Sequence, residues 1–471
     1  RPGQSGLFLN HYYASVVRVL AFLLLIVAAA SIPSIFMAIA AGEDSQTFAF
    51  GTMVLCIVVV SSSVLLLTPK PDRKARPSDA LGTVILWWFI TPVATSLPFV
   101  LGVENDSVLS AIHEATACLT TTGQSVISVQ NNEWPISLVV WRGMLHLLGG
   151  LATITVAASV LAALNLGGPG IHRTVLFTVP ETSFFNAVPR VARVVSILMV
   201  ISILALFSAL VFMGVPAERA LGDSVSALTT GLVHPQGIMR APLDTGPSIV
   251  LGIGLLVGAM GLAIWLPLKD RKPLKAVTDP EVTLFVGLLF VFVGFAVASD
   301  LNVTEGLSWA LSALSTSGLS LSDPADYNRI PLPVLVLPAL IGGSALSAAG
   351  GVKIARFIVL ARRAGQEFRQ LGYRQSVLGF RFRDRELNER SVIGVWVYLI
   401  GYVLSIFLLM SGFAFLGLDF ILAIRLSIGG LTNSAAVLGS YPVDLTGPAQ
   451  ALIIFFNDSR AIGGFSPDSS P

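Results

Sequence analysis

Val108-Leu-Ser-Ala-Ile-His-Glu-Ala-Thr-Ala-Cys-Leu-Thr-Thr-Thr-Gly123 is the stretch whose reading decides the fold. An apolar piece, Val108–Leu119, runs directly into the polar turn Thr120-Thr121-Thr122-Gly123. The pattern recurs as Ala217–Leu228 before Thr229-Thr230-Gly231, and as Gly306–Leu314 before Ser315-Thr316-Ser317-Gly318. A weaker fourth copy places Asp419–Ile428 before Leu431-Thr432-Asn433-Ser434. Each apolar piece is about 10 residues long, and at roughly 1.5 Å per residue it reaches only halfway through a bilayer. One Ser/Thr-Gly turn could equally mark a close helix contact, a common use of small residues in membranes. Four in one register, each flanked by long apolar spans, imply re-entrant segments around a shared pore.

Working outward, the 471 residues are 54% hydrophobic and 12% charged, with a mean hydropathy of +0.80. That balance excludes a soluble globular enzyme and requires many membrane spans. Long apolar runs fall near 14–40, 48–67, 81–103, 136–165, 192–214, 247–268, 281–299, 332–361, 392–417 and 448–463. The first, from Val16 to Ala40, is too long for the apolar core of a cleavable signal peptide. Cys56 and Cys118 sit in apolar surroundings and read as packing residues.

Charge sets the topology. Lys70, Arg73, Lys74, Arg76, Arg173, Arg190, Arg193, Lys269, Arg271, Lys272, Lys275 and the basic run 362–390 occupy alternate connections. The intervening connections hold Glu43, Asp44, Glu104, Asp106, Glu133, Asp223, Asp244, Asp300, Glu305, Asp323, Asp326 and Asp444. Positive charge gathers on the cytoplasmic side, so the N-terminus is expected inside and the four polar turns enter from outside.

The chemistry of the turns follows from that placement. A half-helix entering from outside points its partly negative C-terminal end toward the membrane centre, where it favours a cation. Glycine beyond it tolerates φ > 0 and lets successive carbonyls face one way. Thr and Ser hydroxyls add oxygens, and rings of oxygens can replace the water around a monovalent ion. The turns contain no carboxylate, which argues against Ca²⁺.

A second candidate element is the run 332–361, too long for one straight crossing. Its middle holds Gly342, Gly343, Ser344, Ala345, Ser347, Ala348, Ala349, Gly350 and Gly351. Paired glycines are poor helix formers, so a break and an intramembrane gating loop are expected there; close helix packing is the alternative. Lys353 either binds carbonyls of that loop or extends to the cytoplasmic edge. Arg142 and His146 sit one turn apart and read as structural hydrogen-bonders. The basic, aromatic loop 361–390 suits a lipid surface or a cytosolic partner.

The run Glu114-Ala-Thr-Ala-Cys-Leu-Thr-Thr-Thr-Gly123 resembles the first filter of the Trk/Ktr/HKT superfamily of potassium transporters. Trp141-Arg142 with Gly149-Gly150, and Gly342-Gly343 through Gly350-Gly351-Val-Lys353, resemble its first and third inner helices. The likeness runs from about Ala80 to Arg460, and the two spans before it match the bacterial Trk-H type. The resemblance implies an all-α polytopic membrane protein. Four helix–pore-loop–helix repeats would surround a central pore, with two N-terminal transmembrane helices added. The expected division is 1–77 for the N-terminal pair, then repeats over 78–170, 171–275, 276–390 and 391–471.

By the same resemblance the K⁺-facing positions would be Thr121, Thr122 and Gly123; Thr229, Thr230 and Gly231; Thr316, Ser317 and Gly318; and Asn433, Ser434 and Ala435. Glycine is the family's residue where this chain has Ala435, a departure that bears on the preference for K⁺ over Na⁺. Gate positions would be Gly342, Gly343, Ser347, Gly350, Gly351 and Lys353, with Arg460 projecting under the filter or pairing locally with Asp458. A homodimer in the bacterial inner membrane is implied, regulated by a cytosolic ring that binds nucleotides, with K⁺ as the transported ion. No organic cofactor and no nucleic acid are expected.

Three functions compete. Gated K⁺ conduction leads, with a less selective K⁺/Na⁺ conductor as a variant. Ion-coupled symport with H⁺ or Na⁺ normally uses inverted repeats and midplane carboxylates, which are scarce here. An intramembrane enzyme lacks any catalytic constellation at membrane depth, so no enzyme is expected.

Overall fold

A computed structural model describes residues 11–68, 77–103, 107–123, 125–127, 134–163, 184–234, 243–271, 273–321, 327, 329–372, 381–382, 385–386, 389–434 and 447–463. The described residues are helical except for loops and a two-residue antiparallel ladder between β1 (Arg381–Phe382) and β2 (Arg385–Glu386).

Helices α1 (His11–Ala30) and α2 (Ile32–Ala41) form one bent span that returns through α3 (Asp44–Leu67). Gly42 closes α2 in the left-handed conformation. Arg18 of α1 donates to the carbonyls of Leu65 (2.8 Å) and Thr68, so a cation sits on the partly negative end of α3.

Four units follow. The first runs α4 (Pro77–Thr95), α5 (Leu97–Gly102), α6 (Val108–Leu119) and α7 (Ile136–Ala163). The second comprises α8 (Phe184–Phe212), α9 (Ala217–Thr229), α10 (Thr245–Met260) and α11 (Leu262–Lys269). After the short α12 (Pro273–Val277), the third has α13 (Pro280–Ala298), α14 (Val303–Ser315), α15 (Leu332–Ile341) and α16 (Ile354–Gly372). The fourth is α17 (Glu389–Phe415), α18 (Phe420–Thr432) and α19 (Gly447–Gly463). Glu43 fastens the N-terminal pair to the first unit: its carboxylate accepts from the Ile136 amide at 2.8 Å and from the Ser137 hydroxyl, capping α7.

Packing closes the units into a ring. Each half-helix lies against the inner helix of its own unit, α6 on α7, α9 on α10, α14 on α15 and α18 on α19. Each inner helix also touches the next unit's half-helix: α7 on α9, α10 on α14, α15 on α18, and α19 back on α6. The four half-helices therefore converge on one axis. Gly258 shows how closely: a methyl there would collide with the Ala227 carbonyl of α9.

Phe22, Phe36, Leu66, Ile201, Phe290 and Phe407 all face outward on the long helices, as lipid-facing side chains do. Seven described helical spans are long and apolar enough to cross a membrane, and an eighth if α10 and α11 count as one. The chain is a multi-pass membrane protein. This is fewer than the ten apolar runs visible in the sequence, for two reasons. The run 332–361 divides into short α15 and basic, amphipathic α16, and α19 has only 17 residues. The run 247–268 also differs from a straight span, since α10 and α11 meet at 95°. There the Leu262 amide bonds the Leu346 carbonyl, 3.1 Å, across the bend at Gly261.

Candidate functional site

The half-helices end alike. Just past their C-terminal ends, Thr121, Thr230, Thr316 and Asn433 take φ of 60°, 54°, 57° and 64°. A left-handed residue with a Cβ is unfavourable, and four in matching places define one repeated turn. This repeat also fixes the register. Gly123 and Gly318 stand two residues beyond the left-handed residue, with φ of 65° and 70°. In the second turn that place belongs to Leu232, while Gly231 aligns with Thr122 and Ser317. Pairing Gly231 with Gly123, as the motifs suggest, is therefore one residue out of register. Ala435 lies outside the described residues.

The turns are buried, yet their backbone oxygens are not spent on protein. Thr121, Thr122, Thr230, Thr316 and Ser317 are at most 2% exposed. Among the described residues, the carbonyls of these five and of Gly231 accept no hydrogen bond. Several hydroxyls of the turns also make local hydrogen bonds. Thr229 Oγ1 donates to the Val225 carbonyl (2.7 Å) and Thr230 Oγ1 to that of Thr229 (2.8 Å). Ser317 Oγ accepts from Ser315 Oγ (3.1 Å) and from the Leu319 amide (3.2 Å). Ser434 Oγ donates to the Thr432 carbonyl at 3.3 Å. These bonds shape the turns, and the unpaired carbonyls beside them remain open as acceptors. A cluster of unpaired, buried carbonyls at half-helix C-terminal ends can coordinate a desolvated cation.

Cross-links tie neighbouring turns together. Asn433 Nδ2 donates to the Thr121 hydroxyl (3.1 Å) and the Thr120 carbonyl (3.3 Å), while its Oδ1 accepts from Thr122 Oγ1 (2.8 Å). Between the first and second turns lies Arg142 of α7, fully buried. Its Nε donates to the Val233 carbonyl (2.6 Å), and Nη2 to those of Gly123 (2.8 Å) and Leu232 (3.1 Å). Nη1 pairs with Glu114 of α6, whose other oxygen accepts from Ser125 at 2.9 Å. His146 Nδ1 lies 2.7 Å from the Arg142 carbonyl, as expected of a structural hydrogen-bonder. The Gly123 carbonyl therefore points to Arg142, away from the axis. The role of Glu114 is not evident from its motif; the signal for it in the sequence is a pair of opposite charges inside two apolar helices.

The inner helix of the third unit breaks where the paired glycines fall. Residues 342–353 form a compact loop between α15 and α16, with Gly342 at φ 72° and Gly351 at φ 78°. The Gly350 amide donates to Thr316 Oγ1 (2.7 Å), joining the loop to the third turn. The Ser344 amide and hydroxyl reach the Ala259 and Met260 carbonyls at the bend of α10 (2.9 and 2.8 Å). The Ala345 amide donates to Glu281 of α13 at 3.0 Å, another contact with no local sequence signal. Ser347 donates to the Ser344 carbonyl at 2.9 Å, and Gly343 leaves no room for a Cβ beside the Ala259 carbonyl. Lys353 takes the first of its two expected roles: Nζ binds the carbonyls of Ser347 (3.2 Å) and Ala349. A cavity of about 70 Å³ lies between this loop and the first turn, lined by Thr120, Thr153, Ser347, Gly350, Lys353 and Tyr398 among others. Arg460 is on α19, and its side chain is outside the described residues.

No family model matches the chain. Curated relatives do. It is 26% identical over 416 residues to the Trk system potassium uptake protein TrkH of Escherichia coli (strain K12), covering 84% of this chain and 85% of that protein. It is 26% identical over 440 residues to the protein of the same name in Halomonas elongata, covering 90% of each. The crystal structure of the potassium transporter TrkH from Vibrio parahaemolyticus superposes with a TM-score of 0.84 at 21% identity, covering 96% of this chain and 97% of that one. That likeness establishes the fold. In sequence and in fold, then, this chain is similar over most of its length to potassium uptake proteins of the Trk-H type.

Proposed function

We propose that the chain is a membrane-embedded potassium uptake subunit that conducts K⁺ along the axis of its four turns. The observation that carries this reading is the set of buried carbonyls on convergent half-helix ends, free of protein donors. Relatives named as Trk potassium uptake proteins supply the ion. The positions that carry the ion-facing carbonyls are Thr121 and Thr122, Thr230 and Gly231, and Thr316 and Ser317. Asn433 and Ser434 complete the fourth side.

The loop 342–353 is the gate: it lies across the inner side of the third turn, and Thr316 couples the two directly. The four-repeat division, a homodimer, a cytosolic nucleotide-binding regulator, an inner-membrane location and an inward N-terminus all belong to the same reading. Leu232, in the place held by Gly123 and Gly318, favours a preference for K⁺ over Na⁺ that is less strict than four glycines would give.

Growth of K⁺-uptake-deficient cells at low K⁺ tests the proposal. Expression of this chain restores growth if it is right, and leaves cells dependent on high K⁺ if it is wrong. Currents that reverse at the K⁺ equilibrium potential at every proton and Na⁺ gradient would mark passive conduction; tightly stoichiometric co-flux would mark symport.

A further inference from the structure

We infer that the Glu114–Arg142 pair positions the ion path, setting the spacing of the first two turns and through it the choice between K⁺ and Na⁺. The inference rests on the conduction reading and adds two residues to it. Arg142 and Glu114 are both fully buried, so the pair is shielded from water and salt. A buried guanidinium requires a counter-charge and a partner for each N–H. Here Glu114 and three backbone carbonyls, from Gly123 on the first turn and Leu232 and Val233 on the second, take four of its five N–H groups.

One rigid fork thus clamps two separate turns to one point behind the path. The three carbonyls it draws outward are not ion ligands, which leaves Thr121, Thr122, Thr230 and Gly231 as the ion-facing positions of that side. The clamp also answers an irregularity. Leu232 occupies the place of Gly123 and Gly318 without their left-handed backbone, and the pull of Arg142 on its carbonyl holds the strand in line.

In the first unit the carboxylate on the half-helix pairs with the inner helix. Seven residues before the left-handed residue stand Glu114, Asp223, Trp309 and Leu426. Asp223 faces Arg219 of its own helix at 3.4 Å, and the other two are apolar. Asn433 ties the first turn to the fourth, and Arg142 ties it to the second, so the Arg142 clamp is what sets the spacing of the first two turns.

Permeability ratios from reversal potentials in K⁺/Na⁺ mixtures, measured on the reconstituted full chain, test this. Arg142→Lys keeps a charge for Glu114, but an ammonium is a point donor and cannot hold three carbonyls in a fork. It is expected to fold, to conduct, and to lower the K⁺/Na⁺ ratio about tenfold, equivalent to roughly 1.4 kcal/mol of lost discrimination. Ser125→Ala leaves the pair intact, loosens Glu114 alone, and is expected to lower the ratio about threefold, in line with one lost hydrogen bond. It stands as the decisive variant if Arg142→Lys yields no monodisperse protein. Wild-type ratios in Arg142→Lys, or in Ser125→Ala where it alone folds, overturn the inference. Absence of K⁺ current in the unaltered chain refutes the conduction reading itself, and the positioning role falls with it.

Discussion

Gly123→Ala is expected to abolish growth rescue at low K⁺ while the protein still reaches the membrane. Two effects act at this residue. Its φ of 65° lies in the left-handed region, where a Cβ costs about 1–2 kcal/mol. The added methyl would also lie about 2.5 Å from the backbone N and O of Leu232, atoms held in place by the neighbouring turn. Backbone cannot step aside as a flexible side chain does, so the first turn must move. Moving it withdraws the Gly123 carbonyl from Arg142 and shifts the Thr121 and Thr122 carbonyls off the axis. Rubidium uptake per molecule of protein checks this: a fall of at least about tenfold is expected, the equivalent of one 1.4 kcal/mol displacement. Uptake at the wild-type level would show that this turn does not line the path.

The second large effect is expected from the loop 342–353. Its position rests on identified bonds: Gly350 to Thr316, Ser344 to Ala259 and Met260, Ala345 to Glu281, and Lys353 to its own loop carbonyls. Each such bond contributes about 1 kcal/mol net. Deleting Ala345–Ala348 removes the Ala345 bond to Glu281 and the Ser347 carbonyl that Lys353 binds, and on the proposed gating role it also takes away mass from the path. Basal K⁺ conductance is then expected to rise at least about tenfold, since 1.4 kcal/mol moves a two-state population by that factor. Conductance unchanged in a properly assembled deletion variant would reduce the loop to a packing element.

The features that were legible in the sequence are those encoded locally. Val108–Leu119 could be bounded to the residue, because a Ser/Thr-rich turn follows an apolar run whose length fits half a bilayer. The break of the third inner helix was visible in its paired glycines. The fourth half-helix was harder: it continues through Gly429, Gly430 and Leu431 to Thr432, since buried packing holds two glycines in helical geometry despite their propensity.

Three features had no local signal. Gly261 looks like Gly252, Gly254 and Gly258 in the sequence, yet it alone bends its helix, because Leu346 arrives from a distant segment to bond Leu262. Glu281 reads as an ordinary first-turn acid and turns out to hold the loop amide of Ala345. The register of the second turn is set by where α9 ends and not by where its glycine falls. The Thr-Thr-Gly motif therefore misplaced Gly231 by one residue, and Leu232 emerged as the counterpart of Gly123.

Crystals of the protein grown in RbCl, with data collected at the rubidium absorption edge, test the central claim most directly. Rings of carbonyls that substitute for hydration water should hold Rb⁺ as they hold K⁺. Anomalous density is predicted on the axis enclosed by Thr121, Thr230, Thr316 and Asn433, within coordination distance of their carbonyls. An axis free of anomalous density, with rubidium bound only elsewhere on the molecule, would contradict the account.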